Sequence, residues 1–122
     1  MNAAQAAVEV FMTSIGQPVP YVKGCPSKKI ARLRKRLIKE ECVKELCKAI
    51  EREDLLGVAD GIGDALYVIL GTASAYGLNA ADIFAEVHRS NMSKLKDGHR
   101  RSDGKWIKGP KYSPPNLGPL IK

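Results

Sequence analysis

The chain has 122 residues, enough for one domain and too few for a second independent core. Its hydrophobic (44%) and charged (27%) fractions are those of a soluble globular protein, and the low aromatic content of 6% favours packed helices with an aliphatic core. The net charge of +7 suggests a nucleic-acid partner, but no Lys or Arg occurs between Glu53 and Val87. An acidic middle between basic flanks predicts a site that combines metal, anionic ligand and cationic side chains. A uniform nucleic-acid surface would not need that middle.

The three cysteines are odd in number and have no CxxC spacing, so we expect neither a zinc site nor a disulfide framework. Residues 1–10 lack the basic start and apolar run of a signal peptide. The longest apolar stretch, residues 65–70, is too short to span a bilayer. These features predict a cytoplasmic protein without a membrane partner.

The first half of the chain predicts two helices. Residues 2–15 are rich in alanine and helix-compatible, and residues 16–26 form a loop with three prolines. Ser27 is placed to cap a long, charged helix that ends at about Glu53.

The second half predicts two more helices and a tail. Asp54 caps a helix that continues to Tyr76 and ends at Gly77, and Asn79 caps a helix over residues 80–95. Residues 96–122 contain a turn at Asp103–Gly104 but are predicted to form no regular element. The sequence thus predicts an all-α fold of four main helices in a single domain, residues 1–122, with an N-terminal helix and loop (1–26) and an extended basic tail (96–122).

Two pairs of carboxylates stand four residues apart on the predicted second and third helices. Glu41 and Glu45 form one pair and Asp60 and Asp64 the other, so the members of each pair lie on one helix face. The third helix carries no basic residue to neutralise its pair. Carboxylate oxygens from two helices are ligands that Mg²⁺ prefers. The alternatives are that these acids pair with Arg32, Arg34 or Arg36, or face water.

Four glycines interrupt the predicted third helix, where each costs about 1 kcal/mol relative to alanine. They suggest the close approach of another backbone, or room for a ligand; they are Gly57, Gly61, Gly63 and Gly71.

Basic residues follow the acidic middle. Arg89 and Lys94 are candidate phosphate donors and Asn91 a candidate cation or base contact, although a basic helix C-terminus also complements the helix dipole. In the tail, Lys108, Lys111 and Tyr112 could close over a nucleotide together with a tryptophan. The same segment could equally dock on a neighbouring subunit.

These residues resemble the phage and bacterial MazG-like group, which belongs with phosphoribosyl-ATP pyrophosphohydrolases and dimeric dUTPases in the all-α NTP pyrophosphatase superfamily. The resemblance covers about residues 32–117 and includes residues 58–68 (VADGIGDALYV), 84–94 (FAEVHRSNMSK) and the tail segment 108–115 (KGPKYSPP). The run 84–94 is its most specific part.

The resemblance implies a bundle completed as a homodimer or homotetramer, acting on a nucleotide in the housekeeping of the nucleotide pool. It implies Mg²⁺, with Mn²⁺ as a substitute, and hydrolysis of a nucleoside triphosphate to monophosphate and pyrophosphate. In this scheme Glu41 or Glu45 activates water and both also bind metal with Asp60 and Asp64. The substrate contacts are Arg89, Asn91, Lys94, Lys108, Lys111 and Tyr112.

The chain departs from the family pattern at both acidic motifs. The first motif, EExxE, matches from Glu41 only if Cys42 takes its second position, and from Glu40 only if Lys44 takes its last. In the second motif, ExxD, Asp64 matches, Gly61 replaces the glutamate and Asp60 is the expected substitute. Gly57 also stands where close relatives often have a glutamate. These departures motivate an alternative, a nucleotide-binding member without activity; a basic nucleic-acid-binding protein is less favoured.

Overall fold

The computed structural model describes residues 2–122, which divide into two compact units, residues 2–78 and 79–122. The fold is mostly helical, which confirms the all-α prediction, while the prediction of one domain for the whole chain stays a prediction. In the first unit, the helices are α1 (Ala3–Ser14), α2 (Lys28–Ile38), α3 (Leu46–Glu51) and α4 (Leu55–Ala75). A π-helical segment, Lys39–Glu45, joins α2 to α3, so these three elements form one continuous helical run.

The ends of the helices follow from local hydrogen bonds. The Ser27 hydroxyl accepts from the Ile30 N–H at 3.3 Å, and the Asp54 carboxylate accepts from the Gly57 N–H at 3.1 Å. After α4, Gly77 has a φ of +68°, the left-handed conformation that ends many helices. The predicted caps and the predicted end of the third helix are therefore confirmed.

The core of the first unit lies where α1 crosses the C-terminal half of α4. Val8, Met12 and Ala75 are fully buried there, and the half-buried residues packed around them are Val19, Ile30, Leu70 and Tyr76. A buried polar network joins the same two helices. The Gln5 side-chain amide donates to the Ser74 hydroxyl at 3.0 Å, and this hydroxyl donates to the Glu9 carboxylate at 2.8 Å.

Arg34 of α2 is also buried, with 5% of its surface exposed. Its guanidinium lies over Gly71 and donates to the Val68 carbonyl at 2.8 Å and to the Thr72 hydroxyl at 3.2 Å. Burial lowers the pKa of this guanidinium. Arg34 thus fixes α2 against α4.

The second unit contains α5 (Ala80–Met92), a two-stranded antiparallel hairpin and a short 3₁₀ turn (Gly118–Leu120). The strands are β1 (His99–Arg100) and β2 (Trp106–Ile107), with His99 opposite Ile107. The prediction that residues 96–122 form no regular element is therefore wrong. The predicted turn is present: Gly104 has a φ of +92°, and the Asp103 carboxylate accepts from the Lys105 N–H at 3.1 Å. The helix also ends at Met92, earlier than residue 95, because the chain tightens into turns from Ser93 onwards.

Helix α4 exposes much of its apolar surface. By length and composition alone, its 21 residues could cross a membrane, and only 17% of its most apolar window, of mean hydropathy 1.4, is buried. The apolar segment therefore extends well beyond residues 65–70. A central helix of a soluble protein meets the same criterion, so the expected absence of a membrane partner stays a prediction.

All three cysteines are free, in agreement with the prediction that they form no disulfide framework.

Candidate functional site

Both predicted carboxylate pairs line one pocket of about 270 Å³ in the first unit. The π-helical segment contributes Glu41 and Glu45, and α4 contributes Asp60 and Asp64. Glu41 is half-buried, whereas Glu45, Asp60 and Asp64 are exposed. The remaining lining residues are Lys48, Ala49, Arg52, Asp54, Gly57 and Gly61. The two helices thus bring together the four acids that the spacing singled out.

Burial and the neighbouring carboxylates raise the pKa of Glu41 above its ordinary value. Burial is the largest cause, followed by the negative charges of Asp64, Glu45, Glu40 and Asp60 in that order. A carboxyl group that is surrounded by like charges holds its proton more tightly. The pocket therefore concentrates negative charge around Glu41, as a site for a cation would.

No arginine neutralises these four acids in the described part of the chain. The ion pairs found there are Lys44–Glu40, Arg89–Glu86 and Arg101–Asp103. Arg34, one of the expected partners, bonds instead to the Val68 carbonyl and the Thr72 hydroxyl. The alternative of arginine-paired acids is therefore wrong for residues 2–122.

The acids share a pocket but do not yet form a coordination shell. Among residues 2–122, no three His, Cys, Asp or Glu side chains are grouped closely enough to hold one metal ion. The common lining of the pocket nevertheless places several hard oxygen donors around one space. This donor set fits Mg²⁺, which keeps several waters and needs only a few carboxylates.

The π-helical segment explains the imperfect first motif. In a π-helix the hydrogen bond spans five residues, one more than in an α-helix. If Glu40 and Glu41 are the first two glutamates of EExxE and Glu45 is the last, the chain has one extra residue. The last two glutamates are three residues apart in the motif, whereas Glu41 and Glu45 are four apart. The wide turn over Lys39–Glu45 absorbs the extra residue, so both side chains still reach the pocket. π-Helical turns occur often at functional sites.

Two glycines of α4 let the continuous helical run of α2, the π-helical segment and α3 pack closely against α4. A Cβ at Gly61 would lie 2.9 Å from Leu46 Cδ1 and 3.2 Å from Leu46 Cα. A Cβ at Gly57 would lie 2.6 Å from an oxygen of the capping Asp54. A Cβ at Gly71 would meet the Arg34 guanidinium, whereas nothing lies within 4 Å of one at Gly63. The expected close approach of another backbone is confirmed at Gly61, whereas the close neighbours of Gly57 and Gly71 are side chains. The contact at Gly61 explains why a glutamate cannot occupy this position without displacing Leu46.

The predicted substrate contacts all lie in the second unit. The Arg89 guanidinium bonds to the Glu86 carboxylate, to the Ser113 hydroxyl at 3.1 Å and to the Pro114 carbonyl at 3.1 Å. Its donors therefore hold the tail against α5. Its role as a phosphate ligand stays a prediction, as do the roles of Asn91 and Lys111, which are exposed.

Tyr112 is the centre of a small basic cluster. The Lys108 ammonium lies 4.3 Å and the Lys94 ammonium 5.7 Å from the centre of its ring. The Lys94 carbonyl also accepts from the Trp106 indole N–H at 2.8 Å, so the tryptophan is bound within its own chain. The roles of Lys94, Lys108 and Tyr112 as substrate contacts stay predictions.

Lys48 and Arg52 line the acidic pocket and are absent from the predicted site. Their spacing was a usable signal. Positions 41, 45, 48 and 52 follow one another by four, three and four residues, the repeat of a single helix face.

Comparison with known families gives one result. The model of the phosphoribosyl-ATP pyrophosphohydrolase family matches residues 8–91, which is more than half of the chain. No curated protein matches the sequence.

Proposed function

Since the chain belongs to the phosphoribosyl-ATP pyrophosphohydrolase family, we propose that it cleaves a nucleoside triphosphate to the monophosphate and pyrophosphate with the help of Mg²⁺. Family membership makes it a pyrophosphohydrolase of the MazG-like superfamily, a hydrolase of phosphoric anhydrides. The observation that carries the finer proposal is the pocket lined by carboxylates of two helices, none of which forms an ion pair within the described residues. Mg²⁺ and a triphosphate chain are the ligands that such a pocket suits.

In the proposed reaction, a water oxygen bonds to the α-phosphorus and the bond from that phosphorus to the α–β bridging oxygen breaks. The water proton passes to a carboxylate, and pyrophosphate leaves. Glu41 is the candidate base, because its raised pKa in the metal-free protein favours acceptance of a proton. Bound Mg²⁺, held by Glu41, Glu45, Asp60 and Asp64, would neutralise charge on the phosphates.

The exposed apolar face of α4 supports the proposal of a homo-oligomer. Leu55 and Leu56 are each 82% exposed, and Leu66 and Tyr67 are also open to solvent. A second copy of the chain would cover this face and complete the bundle. Replacing Leu66 by Glu should shift the oligomer to monomer in analytical ultracentrifugation. An unchanged sedimentation coefficient would contradict this part of the proposal.

The enzyme proposal is tested by pyrophosphate release from a panel of ribo- and deoxyribonucleoside triphosphates with Mg²⁺ or Mn²⁺. We expect release from at least one nucleotide, no release with EDTA, and a loss of at least about a hundredfold in Asp64→Asn. Glu51→Gln is the matched control, because Glu51 is an exposed acid of α3 outside the pocket. Equal turnover by the wild type and Asp64→Asn would refute the proposed site.

The alternative function is nucleotide binding without hydrolysis, and Gly57 and Gly61 favour it because each takes the place of an expected acid. Calorimetry that shows binding of a nucleotide from the same panel, together with no pyrophosphate release, would select this alternative.

A further inference from the structure

Lys48 and Arg52 place two positive charges at the edge of the acidic pocket. Lys48 lies in α3 (Leu46–Glu51), and Arg52 is the C-cap residue that follows this helix. Both side chains are exposed and both line the pocket that contains Glu41 and Asp64. Because they are four residues apart on a helix, they point to the same side.

Neither cation forms an ion pair with any described residue, although carboxylates line the same pocket. Within the described residues, the lysine and arginine side chains in ion pairs are Lys44, Arg89 and Arg101. Ammonium and guanidinium groups that stay unpaired next to acids keep their N–H donors available for an external anion. The arginine can also offer two parallel N–H groups to a phosphate.

The backbone holds the two residues at fixed positions. The Arg52 N–H donates to the Lys48 carbonyl at 3.0 Å, and the following Asp54 N–H donates to the Ala49 carbonyl at 3.1 Å. Ala49 is buried against the pocket floor, and Glu53 turns the chain with a φ of +53°. The site for an anion is therefore set by a helix end and not by a loose segment.

We infer that Lys48 and Arg52 bind the phosphate chain of the substrate at the acidic pocket. This inference rests on the proposed function, since it assigns the phosphate contacts of the same site. Carboxylates alone repel a triphosphate. A cationic edge lets the pocket hold an anion beside the metal.

The test uses Lys48→Gln and Arg52→Gln in the full chain, with Lys35→Gln as the control. Lys35 is an exposed lysine of the same helical run that does not line the pocket. Calorimetry measures the affinity for Mg²⁺ alone and for pyrophosphate in the presence of Mg²⁺, and steady-state kinetics measure KM and kcat. Circular dichroism checks that each variant is folded.

We expect each pocket variant to weaken pyrophosphate binding and raise KM by about tenfold, the value of one charge-assisted hydrogen bond. The same variants should bind Mg²⁺ at least as tightly as the wild type, because a repelling positive charge is gone. A purely structural role would weaken both ligands together. Lys35→Gln should change neither.

Unchanged pyrophosphate affinity and KM in both variants would overturn the inference, as would a parallel loss of Mg²⁺ affinity. The proposed function fails separately, if the wild type releases no pyrophosphate from any nucleotide. In that case the binding measurements still decide whether these two residues hold a phosphate chain.

Discussion

The contact between Gly61 and Leu46 predicts opposite effects for two glycine substitutions in the same helix. Gly61 is buried where α4 packs against Leu46, the first residue of α3, whereas Gly63 is exposed two residues further on. Alanine is favoured over glycine in a helix by about 1 kcal/mol at either position. The difference between the two substitutions therefore reports the packing around the added methyl group.

The magnitude follows from the distances. At Gly61 the added Cβ would lie 3.2 Å from both Leu46 Cα and Leu46 Cβ, so the backbone itself has to move. Such overpacking costs about 1 to 3 kcal/mol, which cancels or exceeds the gain in helix propensity. At Gly63 nothing lies within 4 Å of the added Cβ, so the full gain of about 1 kcal/mol remains.

The assay is urea unfolding followed by far-UV circular dichroism, at one protein concentration for all variants. We expect Gly63→Ala to be more stable than Gly61→Ala by about 1 to 3 kcal/mol in the free energy of unfolding. Gly61→Ala should also weaken Mg²⁺ binding, because it pushes α4 away from the π-helical segment. Equal free energies of unfolding for the two variants would refute the close helix crossing.

Three further predictions concern charge, polar burial and helix geometry. The raised pKa of Glu41 means that its ionised form destabilises the folded protein above that pKa. Metal-free Glu41→Gln should therefore melt at a higher temperature than the wild type at pH 7, and the difference should vanish towards about pH 4. A constant difference in melting temperature across this pH range would contradict the prediction. Ser74→Ala removes a buried hydroxyl that joins α1 to α4 and should lower the free energy of unfolding by about 1 to 3 kcal/mol. Ser14→Ala, at an exposed site, should change the free energy of unfolding by less than about 0.5 kcal/mol. Similar losses in the two variants would show that the buried network is unimportant. Deletion of Lys44 restores an EExxE spacing and should convert the π-helical segment to α-helix, with a change of less than about 1 kcal/mol in the free energy of unfolding. Deletion of Lys35, in the regular helix α2, should destabilise the fold more strongly. The reverse order of stability in thermal melts would refute the interpretation that the π-helical segment absorbs one extra residue.

The helix ends could be predicted from the sequence because each depends on a local hydrogen bond. Ser27, Asp54 and Asn79 each accept from an N–H two or three residues ahead, and Gly77 takes a conformation that other residues avoid. The placement of each acidic pair on one helix face was also predictable from its four-residue spacing. That both faces line one pocket depends on how the two helices pack.

The π-helical segment could not be predicted from the same rules. A spacing argument assumes 3.6 residues per turn, and it leaves open whether an extra residue is looped out, rotated or absorbed in a wide turn. Contacts with α4 decide this: the Cys42 thiol lies 3.9 Å from the Ala65 carbonyl, and Leu46 packs on Gly61. Such tertiary contacts appear only once both helices are in place.

The tail and the basic edge of the pocket were missed for different reasons. Strands of two residues, such as Trp106–Ile107, are too short to show alternation, so only the turn at Gly104 was visible. Lys48 and Arg52 look like ordinary solvated residues of a charged helix until the pocket shows what lies beside them.

The central claim is that acids from two helices share one divalent ion, and Mn²⁺ binding followed by electron paramagnetic resonance tests it most directly. The protein should bind Mn²⁺, Mg²⁺ should compete, and the affinity should fall by at least about tenfold both in Glu41→Gln and in Asp64→Asn, while Glu51→Gln binds like the wild type. Unchanged Mn²⁺ affinity in either pocket variant, or an equal loss in the control, would contradict the shared site.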